Sequence, residues 1–155
     1  MYQNPNRWTL TFQMRVLSDY ITFYNRYRHS SELVFVERSL VSSMVFVAAA
    51  VDAGTMDCDE LAVYMRHHTA HAWEPDRIVF IDATSDYCFE KMRQRDRPSE
   101  RTVSKAYINK LDLLYRQSPA AADIKIMPNL PETMVAQVLA ALDVDRMATV
   151  RRHSF

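Results

Sequence analysis

The sequence predicts an α/β fold with a parallel sheet and flanking helices. Short apolar runs typical of buried strands, at residues 33–36, 78–81 and 124–127, alternate with longer segments of helical periodicity. Parallel strands need such helical crossovers, because each strand has to return to the same end of the sheet. The 155 residues, nearly half of them apolar, predict one domain over residues 1–145, with a flexible tail over 146–155.

Helices are predicted where apolar residues recur every three or four positions. The first has Asn4 as N-cap and Pro5 at the first helical position, and it runs to about residue 27. The second runs from about Leu40 to Gly54, the only glycine of the chain, which suits a left-handed C-terminal cap. Further helical segments are predicted at 57–73, 85–92, 103–117 and 131–142.

Composition excludes several classes of function. The 19 basic and 19 acidic residues cancel, so no overall charge attracts nucleic acid or an anionic membrane surface. The longest apolar run, residues 44–51, is far shorter than the roughly 20 residues that cross a bilayer. One glycine is too few for a phosphate-binding loop or a dinucleotide fingerprint. The isolated Cys58 and Cys88 indicate a reducing compartment, the cytoplasm, or the mitochondrion if a targeting segment precedes residue 1.

Four segments contain the candidate site residues. They read MYQNPNRWTLTFQ from residue 1, VFVERSLVSSMVF from residue 34, RIVFIDATSDYCFEKMRQRDRPSE from residue 77, and VSKAYINKLDLLY from residue 103. Glu37 and Arg38 directly follow a predicted buried strand, which places them at the carboxyl edge of a parallel sheet, where ligands of α/β folds bind. A surface ion pair at a strand end is the alternative interpretation of the two charges.

Three arginines stand at alternate positions after the predicted strand at 78–81. Arg93, Arg95 and Arg97 could form a phosphate clamp, because repeated guanidinium groups on a mobile segment suit that task. Taken alone, this spacing is more often a solvated basic helix end. The pair Phe12 and Gln13, taken alone, is likewise more often an ordinary core residue beside a surface residue.

In this order and spacing, the four segments resemble the deoxynucleoside kinases of the thymidine, deoxycytidine and deoxyguanosine type. The resemblance covers roughly residues 1–127. It implies a P-loop-kinase-like parallel sheet with flanking helices, here missing the first two strands. It also implies ATP-dependent 5'-phosphorylation of deoxynucleosides with Mg²⁺, in nucleoside salvage. Members of the family form homodimers through long helices, which residues 5–27 and 40–53 could supply.

The resemblance implies a nucleoside site built from the first two segments and Glu100. Tyr2 and Glu100 would bind the sugar 3'-hydroxyl, while Phe12 would line the base pocket and Gln13 would bond the base edge. A buried amide suits a base because it offers a donor and an acceptor together. The other implied pocket residues are Val16, Tyr20 and Ser43. The position that matches the family's pocket phenylalanine is Val47, or Phe46 if the match shifts by one residue. Val16 and the short Ser43 resemble the pyrimidine-tolerant members of the family, whereas Tyr20 is bulkier than the family pattern and would narrow the pocket. The resemblance therefore favours thymidine or deoxycytidine.

The resemblance also assigns the charged residues to phosphoryl transfer. Arg38 would be catalytic, holding the 5'-oxygen and the phosphoryl group, and Glu37 would act with it as the magnesium ligand. Arg93, Arg95 and Arg97 would form the lid over ATP, with the last two reaching the donor phosphates. Cation and carboxylate suit these tasks, since phosphoryl transfer mainly needs charge neutralisation and positioning.

The chain departs from the family pattern in what it lacks. The family begins with a strand, a glycine-rich phosphate loop and a second strand ending in the general base, and none of these is in the sequence. Met44 also stands where the family usually has an arginine. We therefore expect an N-terminally truncated and inactive homologue. The alternative is a non-catalytic fragment that serves as an interaction or dimerisation partner.

In the resembled fold the missing first strand lies at the centre of the sheet. We therefore expect the isolated chain to be unstable or prone to aggregation, unless the two flanking strands close the gap or another chain fills it. The strands expected at 33–36 and 78–81 would lose their shared neighbour, and the unpaired backbone groups would cost several kcal/mol in aggregate. Circular dichroism of the purified chain is expected to show a broad, non-cooperative melt. A sharp cooperative transition of a monomer would contradict this expectation.

Overall fold

The computed structural model contains six α-helices and a short parallel sheet in the described residues, in keeping with the predicted α/β class. The described residues are 4–118, 124–128 and 131–142. They fall into two compact units, the first comprising 4–74 and 84–118, and the second comprising 75–83, 124–128 and 131–142. The tail predicted over 146–155 lies outside the described residues.

The first unit is helical. Its helices are α1 (Pro5–Tyr27), α2 (Leu40–Asp52), α3 (Cys58–Ala70), α4 (Ser85–Arg95) and α5 (Lys105–Gln117), with a 3-10 turn at Pro98–Glu100. Side-chain caps fix several of the starts, because Asn4, Thr84 and Ser104 each accept a hydrogen bond from a backbone N–H of the first turn. Among the described helices, none has the length and apolar character needed to cross a lipid bilayer.

The core of this unit lies where α1 packs against α2 and α3. Leu17 of α1, Val47 of α2 and Tyr64 of α3 are at most 1% exposed and belong to one apolar cluster. Met44 is half-buried against the same cluster. The three helices therefore share one interior, and the faces of α1 and α2 that meet are fixed by it.

The second unit contains the sheet. Strand β1 (Val79–Ile81) pairs in parallel with β2 (Ile124–Ile126), and Phe80 lies opposite Lys125. Helix α6 (Pro131–Leu142) packs against β2. The two strands and the helix match the predicted segments, although each strand is one residue shorter than expected.

The strand predicted at residues 33–36 is wrong. No ladder pairs these residues with another described segment, and Phe35 is 60% exposed where a buried strand was expected. An apolar run does not make a strand by itself, because a strand needs a neighbour to accept and donate its hydrogen bonds. Glu37 and Arg38 therefore do not follow a strand in this structure.

Candidate functional site

A cavity of about 170 Å³ lies in the first unit. Helices α1 and α2 supply most of its wall, and Arg38 comes from the segment between them. The lining residues are Phe12, Gln13, Val16, Tyr20, Arg38, Ser42, Ser43 and Phe46. Six of these were predicted from the sequence as site residues, and the structure brings those six to one cavity.

Gln13 is the buried polar residue that α1 contributes to the cavity. It is 3% exposed and lies on the helix face that also carries the buried Thr9 and Leu17, at the spacing of one helical turn. Its side-chain amide makes no hydrogen bond with any other described residue. The residue is buried, but its amide atoms are not among the fully enclosed polar atoms that lack a partner, so the amide opens on the cavity. It can offer both a donor and an acceptor to a ligand there.

Ser43 of α2 is the second buried polar residue of the cavity. It is 2% exposed, and its Oγ lies 2.6 Å from the hydroxyl of Tyr64 on α3. Tyr64 is fully buried, and burial raises the pKa of its hydroxyl despite the opposing hydrogen bond with Ser43. The pair is therefore uncharged at neutral pH.

The Arg38 side chain lies over the ring of Phe46, and both residues line the cavity. The guanidinium carbon lies 4.7 Å from the centroid of the Phe46 ring, in cation–π contact. Arg38 reaches this position with φ at 67°, a left-handed conformation that non-glycine residues rarely adopt. Of the two positions left open by the sequence, Phe46 lines the cavity and Val47 is 1% exposed in the core.

Tyr20 and Glu37 meet beside the same cavity. The Tyr20 hydroxyl donates to the backbone carbonyl of Glu37 at 3.5 Å, and burial raises the pKa of this hydroxyl more than the nearby Arg38 lowers it. The Glu37 carboxylate is exposed. No group of three or more metal-binding side chains occurs among the described residues. One carboxylate is nevertheless enough for Mg²⁺, which commonly takes its other ligands from phosphate oxygens and water.

The predicted lid residues lie in the last turn of α4 and in the segment that follows it, and none of them lines the cavity. Arg95 makes two hydrogen bonds to the carboxylate of Glu100, at 3.0 and 2.9 Å, and Arg97 lies 3.6 Å from the same group. Glu100 is thus engaged by two of the three predicted lid arginines. Arg93 lies beside Asp96 and Arg101, at a crevice of about 10 Å³.

The turn between α4 and the 3-10 turn is held by an ion pair that the sequence analysis missed. Asp96 ends α4 in a left-handed conformation, and Arg101 donates two hydrogen bonds of 2.9 Å to its carboxylate. Charge alternation along this segment hides the pairing, since each carboxylate has several arginines within reach. Tyr2, the remaining predicted sugar ligand, lies outside the described residues.

The sequence analysis missed the cavity residue Ser42 and the contact of Tyr64 with Ser43, and it left the choice of Phe46 open. Ser42 and Phe46 lie four positions apart on α2, so helical spacing from Phe46 could have indicated Ser42 on the same face. Tyr64 gave no such signal, because its contact with Ser43 joins residues 21 positions apart.

Comparison with known proteins defines the class to which this fold and cavity belong. The sequence profile of the family described as deoxynucleoside kinase matches residues 1–152. The chain therefore belongs to the deoxynucleoside kinase family.

Relatives support the same assignment. The chain is 29% identical over 126 residues to the mitochondrial deoxyguanosine kinase of Xenopus laevis, covering 72% of this chain and 47% of that protein. It is 25% identical over 124 residues to human deoxycytidine kinase, again covering 72% of this chain, and 48% of the relative. The chain thus spans about half the length of these two relatives.

A solved structure has the same fold. Deoxyadenosine kinase from M. mycoides, solved with bound dCTP, superposes with a TM-score of 0.74, covering 92% of this chain and 77% of that one. The sequence identity is 13%, so the likeness concerns the fold alone.

The Asp96–Arg101 pair predicts how the Asp96 carboxyl titrates. The two hydrogen bonds and the charge of Arg101 hold the pKa of Asp96 below its ordinary value of 3.8. A depressed carboxyl pKa means that the pair stabilises the turn above the ordinary pKa and loses this effect as pH falls through the folded-state value. Carboxyl ¹³C shifts measured by NMR should give a midpoint below 3.8.

Two arginine variants serve as matched controls for this titration. Arg101→Gln should return the pKa of Asp96 toward its ordinary value, because the variant removes both the hydrogen bonds and the charge. Arg93→Gln should raise the pKa less, since Arg93 acts on Asp96 through charge alone and more weakly. An equal or larger rise with Arg93→Gln would contradict the assignment of the effect to Arg101.

Proposed function

We propose that the cavity between α1 and α2 binds a deoxynucleoside, with the base edge on Gln13. The observation that supports this most directly is the buried amide of Gln13, which opens on the cavity without a partner among the described residues. Phe12 and Phe46 line the same cavity and offer aromatic faces to a planar ring. Val16, Tyr20 and Ser43 complete the base pocket in this proposal.

Arg38 would contact the 5'-oxygen of the nucleoside and the phosphoryl group that is transferred to it. It is an exposed cation at the cavity wall, next to Glu37, and its side chain can leave the Phe46 ring for a nearby anion. Glu37 would hold Mg²⁺, which supplies charge neutralisation for phosphoryl transfer when it is bound. The Arg38 guanidinium would orient the 5'-oxygen and offset the negative charge beside it.

The lid residues have a second role in this proposal. Arg95 and Arg97 would turn to the phosphates of ATP, and Arg93 would add positive charge behind them. Glu100, which they now hold, would then be free to join Tyr2 at the sugar 3'-hydroxyl. The ion pairs of Arg95 and Arg97 with Glu100 would thus break when the substrates bind. The arginines would then contact ATP, and Glu100 would contact the nucleoside.

The 155-residue chain by itself would bind a nucleoside without phosphorylating it. One glycine leaves the chain without a phosphate-binding loop, and the loop supplies backbone donors and a lysine to ATP. The general base of the family has no counterpart in the sequence either, and such groups contribute about 100- to 10,000-fold in rate.

A non-catalytic role as a dimerisation partner is the second candidate function. Helix α1 leaves Trp8 45% and Tyr27 37% exposed, which is apolar surface on one of the two helices expected at a family dimer interface. Pairing with a second copy or with a complete kinase would cover these rings. The two candidate functions are compatible, since the cavity lies within one chain.

Binding through Gln13 predicts a loss of affinity when the amide is removed. Isothermal titration with thymidine and with deoxycytidine should detect binding to the unaltered chain. Gln13→Ala should weaken it about tenfold or more, because the base edge loses paired hydrogen bonds in a buried site. Gln117→Ala, which alters an exposed glutamine at the end of α5, is the control and should bind normally. Equal affinities for the two variants would disprove the proposed base contact.

Phosphoryl transfer provides the second test. Purified chain incubated with labelled ATP, Mg²⁺ and each deoxynucleoside should release no labelled monophosphate above a protein-free control. The same preparation should retain nucleoside binding, which shows that the protein is folded. Turnover above background that Arg38→Ala abolishes would refute the proposed inactivity and assign the reaction to this chain.

A further inference from the structure

The hydrogen bond between Ser43 and Tyr64 has a direction that burial determines. The two hydroxyl oxygens lie 2.6 Å apart, Tyr64 is 0% exposed and Ser43 is 2% exposed. Each hydroxyl has one hydrogen to donate and two lone pairs that accept. Only one of the two hydrogens can lie between the oxygens, so the other must point elsewhere.

The free hydrogen belongs to Ser43. If Ser43 donated, the Tyr64 hydrogen would be buried without an acceptor, because Ser43 is the only hydrogen-bond partner of that hydroxyl among the described residues. A buried donor without a partner loses its hydration and gains nothing in return. If Tyr64 donates instead, its hydrogen is satisfied, and the Ser43 hydrogen can point into the cavity that Ser43 lines.

We propose that Tyr64 is a positioning residue that makes Ser43 a hydrogen-bond donor toward the ligand, so that the site prefers bases presenting a carbonyl oxygen over bases presenting an exocyclic amino group. This inference rests on the proposed binding of a deoxynucleoside and names the class that fits the site. The substituent that decides is the one at C4 of a pyrimidine or C6 of a purine. Thymidine and deoxyguanosine carry a carbonyl oxygen there and are favoured, whereas deoxycytidine and deoxyadenosine carry an amino group there and are disfavoured.

The amide of Gln13 does not set this preference. The amide of Gln13 can rotate to present its donor or its acceptor, so it can match either kind of base edge. The raised pKa of Tyr64 keeps that hydroxyl protonated at neutral pH, which the donating role requires. Ser43 retains one lone pair, so an amino group is disfavoured rather than excluded.

The matched ligands for the test are thymidine and 5-methyldeoxycytidine. The two nucleosides have the same shape, and the second carries an amino group where the first carries a carbonyl oxygen. Titration calorimetry on the 155-residue chain at neutral pH should show thymidine binding about tenfold more tightly, the effect of one buried hydrogen bond gained or lost. Equal affinities, or tighter binding of 5-methyldeoxycytidine, would overturn the inference.

Variants separate the orienting role of Tyr64 from a structural one. Tyr64→Phe keeps the ring and frees Ser43 to donate or accept, so the affinity ratio should fall toward one. Tyr24→Phe, which removes a hydroxyl from a ring stacked on Trp73 and outside the cavity lining, should keep the ratio. Ser43→Ala should also bring the ratio toward one, and it serves as the test if Tyr64→Phe does not fold by circular dichroism.

The outcomes separate a failure of the proposed nucleoside binding from a failure of the proposed role of Tyr64. No binding of any deoxynucleoside to the folded, unaltered chain would refute the proposed function itself. Binding with a tenfold preference that persists in both Tyr64→Phe and Ser43→Ala would leave the function standing and refute the role of Tyr64. A preference lost in both variants and kept in Tyr24→Phe is the expected result.

Discussion

The complete burial of the Tyr64 hydroxyl constrains the arrangement of the first unit. A hydroxyl without access to water has to find a protein partner, and the one it finds among the described residues is Ser43 of α2. This bond fixes the rotation of α2 against α3, because a helix turned by one residue would carry Ser43 away from it. The same rotation directs Val47 to the core and Phe46 to the cavity. The burial of Tyr64, through this hydrogen bond and the apolar cluster around it, thus sets both the packing and the site geometry.

The predicted helices were found because their signals are local. The Asn4 cap and Pro5 place the start of α1 at the residue where the structure has it, and its end at Tyr27 also agrees. Residues 33–36 show the limit of such signals. Their apolar side chains predict extended backbone, but whether a neighbouring strand is present depends on distant parts of a chain, and no ladder forms there in the described residues.

In the candidate site, sequence motifs likewise predicted some residues, whereas other contacts depend on how distant helices pack. Motif order selected Gln13, Ser43 and Arg38, which line one cavity. The contact of Tyr64 with Ser43 could not be predicted, because it depends on how α3 packs against α2. The pairing within the lid was also hidden, since Asp96 and Glu100 each lie close in sequence to several arginines. Where several arginines can reach one carboxylate, the backbone conformation decides which pair forms. Here the left-handed Asp96 sets the turn in which Arg101 reaches the Asp96 carboxylate.

Under the proposed function, the base of the ligand and the Arg38 guanidinium would compete for the ring of Phe46. The aromatic face is already covered by a guanidinium group, so a planar ring that stacked there would have to displace it. Affinity would then report the difference between two stacking partners, and it would fall short of the full value of either. Displacement would also free the Arg38 guanidinium when the base binds. Binding of the base would then be coupled to the availability of Arg38 for the phosphoryl group.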